Sequence, residues 1–327
     1  MDKAKSILSS LLFGGGAGAS GQGEPAAVVS SIFVYPIKSC RGISLSQAPV
    51  SPTGFRWDRQ WLVVNSKGRA YTQRVEPKLA LVEIEMPNGA FDEGWEPTVD
   101  SYMVIKAPDM DPLKVPLVAE HAMANEVSVW EWSGPAHDEG DKAADWFSSF
   151  LGKPSRLVRF RTSSEIRPVD VKYAQGYKLT FADGYPFLVA SQGSLNAVNE
   201  ALHEPININR FRPNILVDGC NPFSEDLWKD IKIDNLTFHG VKLCARCKVP
   251  TINQENGIAG TEPTETMVKF RSDHVLRPTR KQKGQVYFGQ NMVCQESLRK
   301  TTRENLVKVG DPVFVLKEYA SCDDAPA

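Results

Sequence analysis

The chain of 327 residues carries 38 lysines and arginines against 39 aspartates and glutamates, for a formal net charge of −1, and 42% of its residues are hydrophobic. This length holds one large domain or two ordinary ones with a proper core, and the even charge excludes the basic excess expected of a nucleic-acid partner. No apolar run reaches bilayer-spanning length, so no transmembrane span is expected, and six cysteines with no secretory signal ahead of them are not a disulfide framework.

An intracellular, reducing location follows as the expectation, with thiols free for metal or redox chemistry. Twenty-two prolines and twenty-four glycines spread along the chain point to many short strands and turns rather than long helices. Residues 1–27 pair a short apolar patch (Ile7 to Phe13, with Lys3 and Lys5 ahead of it) with a Gly/Ala/Ser stretch, and read as a disordered leader and linker. Gly14-Gly15-Gly16 is not a phosphate loop, because no strand precedes it and no Gly-Lys-Ser/Thr follows.

Order begins at Val28. Segments 28–35, 60–65, 79–86, 102–106 and 127–132 are β-branched and aromatic runs between turn signals, and read as strands. Asn65-Ser66-Lys67-Gly68 reads as a hairpin turn. From Asp141 to Leu151 apolar residues fall at 143, 146, 147, 150 and 151, with Gly152 and Pro154 beyond, which predicts a helix. Further strands are expected at 156–160, 186–190, 214–217, 236–243, 286–293 and 312–316, and short helices at 193–203 and 264–270. Two β-rich halves joined around the 141–152 helix result.

Three features could carry chemistry. The first is Cys244-Ala245-Arg246-Cys247, two thiols at C-x-x-C spacing with a guanidinium between them. A structural zinc needs four ligands, and the other cysteines (Cys40, Cys220, Cys294, Cys322) are scattered singly. A thioredoxin-like dithiol would open a helix, whereas Lys248 to Ile252 reads as extended. On chemistry alone, a pair of half-buried structural cysteines stands slightly ahead of any single functional reading, a single-thiolate metal ligand included.

The second feature is basic. Lys38 and Ser39 sit at a strand end beside Gly42, Arg56 and Arg59 come just before the strand at Trp61, and Arg210, Arg212 and Asn214 open another. Point charge, hydroxyl and bidentate forks at strand ends are what a phosphate-bearing ligand needs, although each motif alone reads as solvated surface charge. The third is Asp183-Gly184-Tyr185 ahead of Pro186, where an acid could stand at a pocket mouth, or simply mark a turn.

Taken in order, Tyr35-Pro36-Ile37-Lys38-Ser39-Cys40-Arg41-Gly42, Trp57-Asp58-Arg59-Gln60-Trp61, Gln73-Arg74-Val75-Glu76-Pro77-Lys78-Leu79, Arg210-Phe211-Arg212-Pro213-Asn214, Cys244-Ala245-Arg246-Cys247 and Val309-Gly310-Asp311-Pro312-Val313 resemble the MOSC proteins. More narrowly, they resemble the amidoxime-reducing components in their plant form, over about Val28 to Leu316. The resemblance implies an α+β, mainly β fold: an N-terminal MOSC β-barrel domain (28–152), then a MOSC β-barrel core with short flanking helices (153–318), and a tail (319–327).

It also implies a molybdenum–molybdopterin cofactor with Cys247 as protein ligand to the metal, and Asp183 as a second catalytic residue. Cofactor contacts carried over by position are Lys38, Ser39, Arg59, Gly184, Tyr185, Arg212, Asn214, Ala245 and Arg246. Animal members resemble Asp-Thr-Ser where this chain has Asp183-Gly184-Tyr185, so the acid matches while residue 184 has no hydroxyl to offer.

The activity implied is reduction of small N-hydroxylated compounds (amidoximes, hydroxylamines, with nitrite as a further candidate), using electrons from NADH through cytochrome b5 reductase and cytochrome b5. The location implied is mitochondrial or cytosolic. The rival is a molybdenum-cofactor carrier or sulfuration-related module without turnover. MOSC domains also end the molybdenum-cofactor sulfurases, but this chain has no room for their desulfurase half, so no pyridoxal phosphate is expected. A β-rich interaction protein with structural cysteines is the blandest alternative.

Overall fold

A computed structural model of the chain describes residues 23–118, 122–299 and 305–327. The apolar patch at Ile7 to Phe13 lies outside the described residues. Seven strands close into a barrel: β1 (Ala27–Val34), β2 (Phe187–Ser191), β3 (Ile215–Asp218), β4 (Trp228–Ile233), β5 (Leu236–Ala245), β6 (Tyr287–Cys294) and β7 (Pro312–Glu318). The circuit runs β3-β2-β6-β5-β4-β7-β1, and β1 pairs back onto β3 through Val28↔Asp218 and Ile32↔Ile215. Only the β2–β3 pair is parallel, and the helix Gln192–Ala201 supplies the crossover between them.

Alternation explains why these runs make a barrel. Val29, Ile32, Val34, Val189, Ile215, Val217, Ile231, Ile233, Phe238 and Met292 turn inward into one cluster, each almost wholly shielded from water. Burying a side chain of this size contributes roughly 1.5–3 kcal/mol, so the barrel is the main source of stability on this side of the molecule. Glycines allow strands to approach closely: a Cβ at Gly240 would stand 2.1 Å from the Trp228 carbonyl oxygen.

The rest of the first half forms smaller sheets. Trp61–Asn65, Ser155–Arg159, Trp132–Asp138 and Ala122–Val129 make a four-stranded sheet in that order, and Glu83–Glu85, Tyr102–Lys106 and Leu113–Pro116 make a meander. The helix Asp141–Leu151 spans its predicted residues, ends at Gly152 in the left-handed region (φ 69°), and buries Ala143, Trp146, Phe147 and Leu151 against this part. Among the described residues no helix is long and apolar enough to cross a membrane.

The structure departs from the sequence expectations in several places. Segment 79–86 is not one strand: Pro77 starts a 3-10 turn over Pro77–Leu81, because proline fixes a helical φ at a first helical position, and only Glu83–Glu85 is extended. The run 127–132 is not one strand either. Ala122–Val129 ends at Trp130 (φ 54°), and the chain reverses into Trp132–Asp138 with no Gly, Asn or Pro to announce the turn.

Strands from the two halves also pair near the ends of the 28–152 stretch. β1 belongs to the barrel, while Ser155–Arg159 pairs with Trp61–Asn65 in the first-half sheet. Residues 319–327 pack onto the barrel: Ala325 is buried, and the Pro326 carbonyl accepts a hydrogen bond from Leu243 N.

Candidate functional site

Four stretches that turn between regular elements converge on one cleft of about 280 Å³. The first is the turn Ile37–Cys40, closed by Cys40 N donating to the Ile37 carbonyl (3.1 Å) and tied to the first-half sheet by Lys38 N donating to the Trp61 carbonyl (2.8 Å). It presents Lys38 and Ser39. Ser39 sits at φ 71°, in the position where such a turn ordinarily takes Gly or Asn.

The second and third stretches present arginines. Arg59 lies at φ 46° and Arg212 at φ 56°, both left-handed for residues with a Cβ. Strain of this kind, about 1–3 kcal/mol each, persists where the surroundings over-determine the conformation, and it clusters at functional sites. Here the surroundings are specific. Arg59 Nη1 donates to Asp58 Oδ2 (2.5 Å) and Asn214 Oδ1 (3.0 Å), Arg59 Nη2 to the Arg212 carbonyl (3.2 Å), and Arg212 Nη1 to the Cys40 carbonyl (2.8 Å). Burial brings the Arg212 guanidinium down to about 10, with the Arg59 charge adding to the fall. Asn214 is buried, and its amide bridges Arg59 to β1 by donating to the Phe33 carbonyl (3.2 Å).

The fourth stretch is Cys244–Cys247, where β5 gives way to the loop before the turn Val249–Thr251. All six cysteines are free, and Cys247 alone of them is exposed. Burial pushes the Cys40 and Cys294 thiols up to about 12, and Cys220 and Cys322 to about 11. Arg246 is held by the strand side: Nη1 donates to Cys244 Sγ (3.0 Å) and Nη2 to the Phe211 carbonyl (2.8 Å). Its buried Nε has no partner, an orphan donor at the cleft wall. Cys244 therefore lines the cleft too, and orients the guanidinium.

Asp183 crosses between the two sides. Its Oδ1 accepts from Lys38 Nζ (2.5 Å) and from Trp130 Nε1 (3.0 Å), while its side chain is 72% exposed. Crowding would raise this carboxyl, but Lys38, the Trp130 indole and Arg74 outweigh that and hold it well below the usual carboxylate range. Burial pulls the Lys38 ammonium down, with Asp183 opposing the fall. Below, Arg167 donates to the carbonyls of Thr180 (3.0 Å), Ala182 and Asp183 (2.9 Å), which fixes the main chain that carries the acid.

Eleven residues singled out from the sequence line this cleft (Lys38, Ser39, Arg59, Asp183, Gly184, Tyr185, Arg212, Asn214, Ala245, Arg246 and Cys247), whereas Arg56 and Arg210, expected in the same basic set, line other hollows. Sequence reasoning missed Thr72, Arg74, Lys242 and Asn291 in the lining, together with Trp130 and Arg167 behind Asp183. Arg74 was within reach, since it sits inside the quoted Gln73–Leu79 motif. The others bear no local signal.

Six cations (Lys38, Arg59, Arg74, Arg212, Lys242, Arg246) face a single carboxylate, so the cleft suits a multiply charged anion. Among the described residues no three His, Cys, Asp or Glu side chains gather as a metal cluster. A metal here would take one protein thiolate and its other ligands from elsewhere. That donor set, one accessible soft thiol beside a phosphate-type cradle and an orphan Arg246 N–H, fits a molybdenum held by a phosphorylated pterin.

Comparisons with known proteins agree with the geometry. Residues 26–154 match the family described as MOSC N-terminal beta barrel domain, and residues 176–314 match the MOSC domain. The chain is 33% identical to mitochondrial amidoxime reducing component 2 of Bos taurus, over 89% of this chain and 84% of that protein. It is 31% identical to component 1 of Mus musculus, over 90% and 83%. Against component 1 of Homo sapiens the identity is 30%, over 90% and 84%.

Proposed function

Because the chain belongs to the family of MOSC-domain proteins that includes the amidoxime-reducing components, we propose that it is a molybdenum-cofactor-dependent oxidoreductase acting on N-hydroxylated compounds. Amidoximes and hydroxylamines are its substrates, with nitrite a further candidate. Electrons reach it from NADH through cytochrome b5 reductase and cytochrome b5, in the mitochondrion or cytosol. The observation that carries this reading is the convergence of eleven residues, scattered over more than 200 positions, on one cationic cleft with the one exposed thiol at its wall.

When bound, the cofactor supplies a two-electron metal centre able to remove the oxygen of an N–O bond. The chain's own residues do the rest. Cys247 offers its sulfur to the metal without first having to be uncovered. Lys38, Ser39, Arg59, Arg212 and Asn214 hold the phosphate end, three of them in a backbone conformation already locked before the ligand arrives. Gly184, Tyr185, Ala245 and Arg246 line the walls around it.

Asp183 is catalytic by orientation. Both hydrogen bonds it accepts fall on Oδ1, which leaves Oδ2 for a ligand. A carboxyl held this far below its usual range stays ionised, so it can accept a hydrogen bond but has no proton to donate. It therefore aligns an N–H or O–H of the substrate.

The test pairs metal content with turnover. Cys247→Ser loses its bound molybdenum and its reduction of benzamidoxime by more than about a hundredfold, beyond the cost of disturbing an outer-shell partner, while Cys244→Ser retains a measurable part of both. A Cys247→Ser protein that keeps metal and activity while Cys244→Ser loses them would sink the assignment. Protein that carries molybdenum and pterin yet never reduces benzamidoxime, given competent electron donors, turns the reading to a cofactor carrier.

A further inference from the structure

We propose that Tyr35 is the positioning residue of the anion cradle: its buried ring is the common platform against which the Arg59 and Arg212 guanidiniums are both held to receive a single phosphate-type anion. This rests on the cleft being the cofactor site, but not on which metal the cofactor carries.

The guanidinium carbon of Arg59 lies 4.3 Å from the Tyr35 ring centroid, and that of Arg212 4.2 Å. Two cations brought to one ring repel, and they repel more where water is excluded. The face of an aromatic ring carries the negative part of its quadrupole and attracts each of them, most strongly when desolvated. Tyr35 is 1% exposed. Without the ring, Asp58 would still hold Arg59 and the Cys40 carbonyl would still hold Arg212, but the one group that attracts both guanidiniums at once would be lost.

The ring is itself fixed at both ends. Tyr35 N donates to Asp58 Oδ1 (2.8 Å), whose other oxygen accepts from Arg59, and the Tyr35 carbonyl accepts from Arg59 N (2.8 Å). The hydroxyl donates to the Pro213 carbonyl (3.1 Å), one residue beyond Arg212. Tyr35 therefore ties together the two turns that carry the arginines, and burial pushes its phenol up to about 12, so it stays a neutral donor.

A second, independent observation concerns Gly42, an exposed residue seven positions on. A Cβ there would stand 2.5 Å from Tyr35 Cε1 and 2.8 Å from Cδ1. Gly42 leaves the room in which the ring sits, so a methyl group at this surface position should move the platform without touching either arginine.

The experiment titrates the full chain, prepared free of cofactor, with inorganic phosphate by calorimetry at two salt concentrations, alongside the molybdenum-to-protein ratio of loaded protein and thermal unfolding. Tyr35→Phe keeps the ring and binds phosphate within about twofold of wild type. Tyr35→Leu removes it and binds on the order of tenfold more weakly, with a shallower salt dependence. Gly42→Ala weakens phosphate binding in the same direction with a smaller fall in unfolding temperature than Tyr35→Leu, and it decides the matter if Tyr35→Leu does not fold.

Phosphate binding unaltered in Gly42→Ala, or a Tyr35→Phe protein as weak as Tyr35→Leu, overturns the proposal, as does a wild-type chain that binds no phosphate. The two readings separate cleanly. A chain with the expected phosphate series but no molybdenum fails as an oxidoreductase and keeps its Tyr35 cradle. A chain with molybdenum and a flat phosphate series keeps its function and loses the cradle.

Discussion

The two walls of the cleft are built on opposite terms. On one side Lys38, Ser39, Arg59, Arg212 and Asn214 are buried or half-buried, three hold left-handed backbone, and all but Ser39 engage their side chains in hydrogen bonds. On the other side Cys247 stands exposed at the end of a strand, in a loop whose main anchors are Arg246 and the turn after it. The first wall has been made rigid at a cost in strain, which suits recognition of a charged group of fixed shape. The second has been left open, which suits a soft ligand that must reach a metal.

If that contrast is right, substitutions should divide between fold and function according to the wall they strike. The largest effect on the fold belongs to Arg59→Ala. Asp58 is buried and would keep only the Tyr35 amide as partner, so the loss should approach the roughly 3–5 kcal/mol that follows when one member of a buried pair is removed. Urea unfolding measures it. The same measurement on Cys247→Ser should show a change within about 0.5 kcal/mol, as expected for an exposed side chain. Equal losses for the two proteins would erase the distinction between a rigid and an open wall.

This contrast was only half legible in the sequence. The helix Asp141–Leu151 could be read from its period and its closing glycine, and most barrel strands from their β-branched runs, because those signals are local. Lys38, Ser39, Arg59, Arg212 and Asn214 could be read as a basic set at strand ends, whereas Gly184, Tyr185, Ala245 and the choice of Cys247 over Cys244 came only from the family resemblance. What no local pattern carries is which strand ends meet. β1 closes on β3 across nearly 190 positions, and that pairing sets Asn214 against Phe33 and so places Arg59. The turn at Trp130 has none of the usual turn residues, so the indole it delivers to Asp183 could not be foreseen. Nor could the exposure of Cys247 against Cys244, which depends on how β5 ends rather than on spacing.

Asp183 links the walls, and its effects should be smaller and set by pH. Its folded pKa lies below its unfolded value of about 3.9, so its contribution is present above that value and is lost as pH falls through the folded one. Asp183→Asn should therefore be less stable than wild type at neutral pH and lose less on acidification between about pH 5 and pH 2. Parallel curves would mean that the Lys38 contact adds nothing to the folded state. Lys38 is the partner that makes this asymmetric, since it is buried while Asp183 is open to solvent.

The smallest effect tests whether the hairpin tip takes part at all. Trp130→Phe removes one N–H from Asp183 Oδ1 at an exposed position and leaves Arg74 an aromatic face to lie on, its guanidinium carbon being 4.1 Å from the ring centroid. Because water can replace an exposed donor, stability should fall by less than about 1 kcal/mol. Substrate handling is the sharper measure. If the indole steers Asp183, leaving its Oδ2 to the substrate, losing it lets the carboxylate turn, and KM for an amidoxime should rise while the molybdenum content stays at the wild-type level. A fall in metal content instead would show that the tip supports the rigid cradle rather than the substrate side, and would move Asp183 from the boundary between the walls into the first of them.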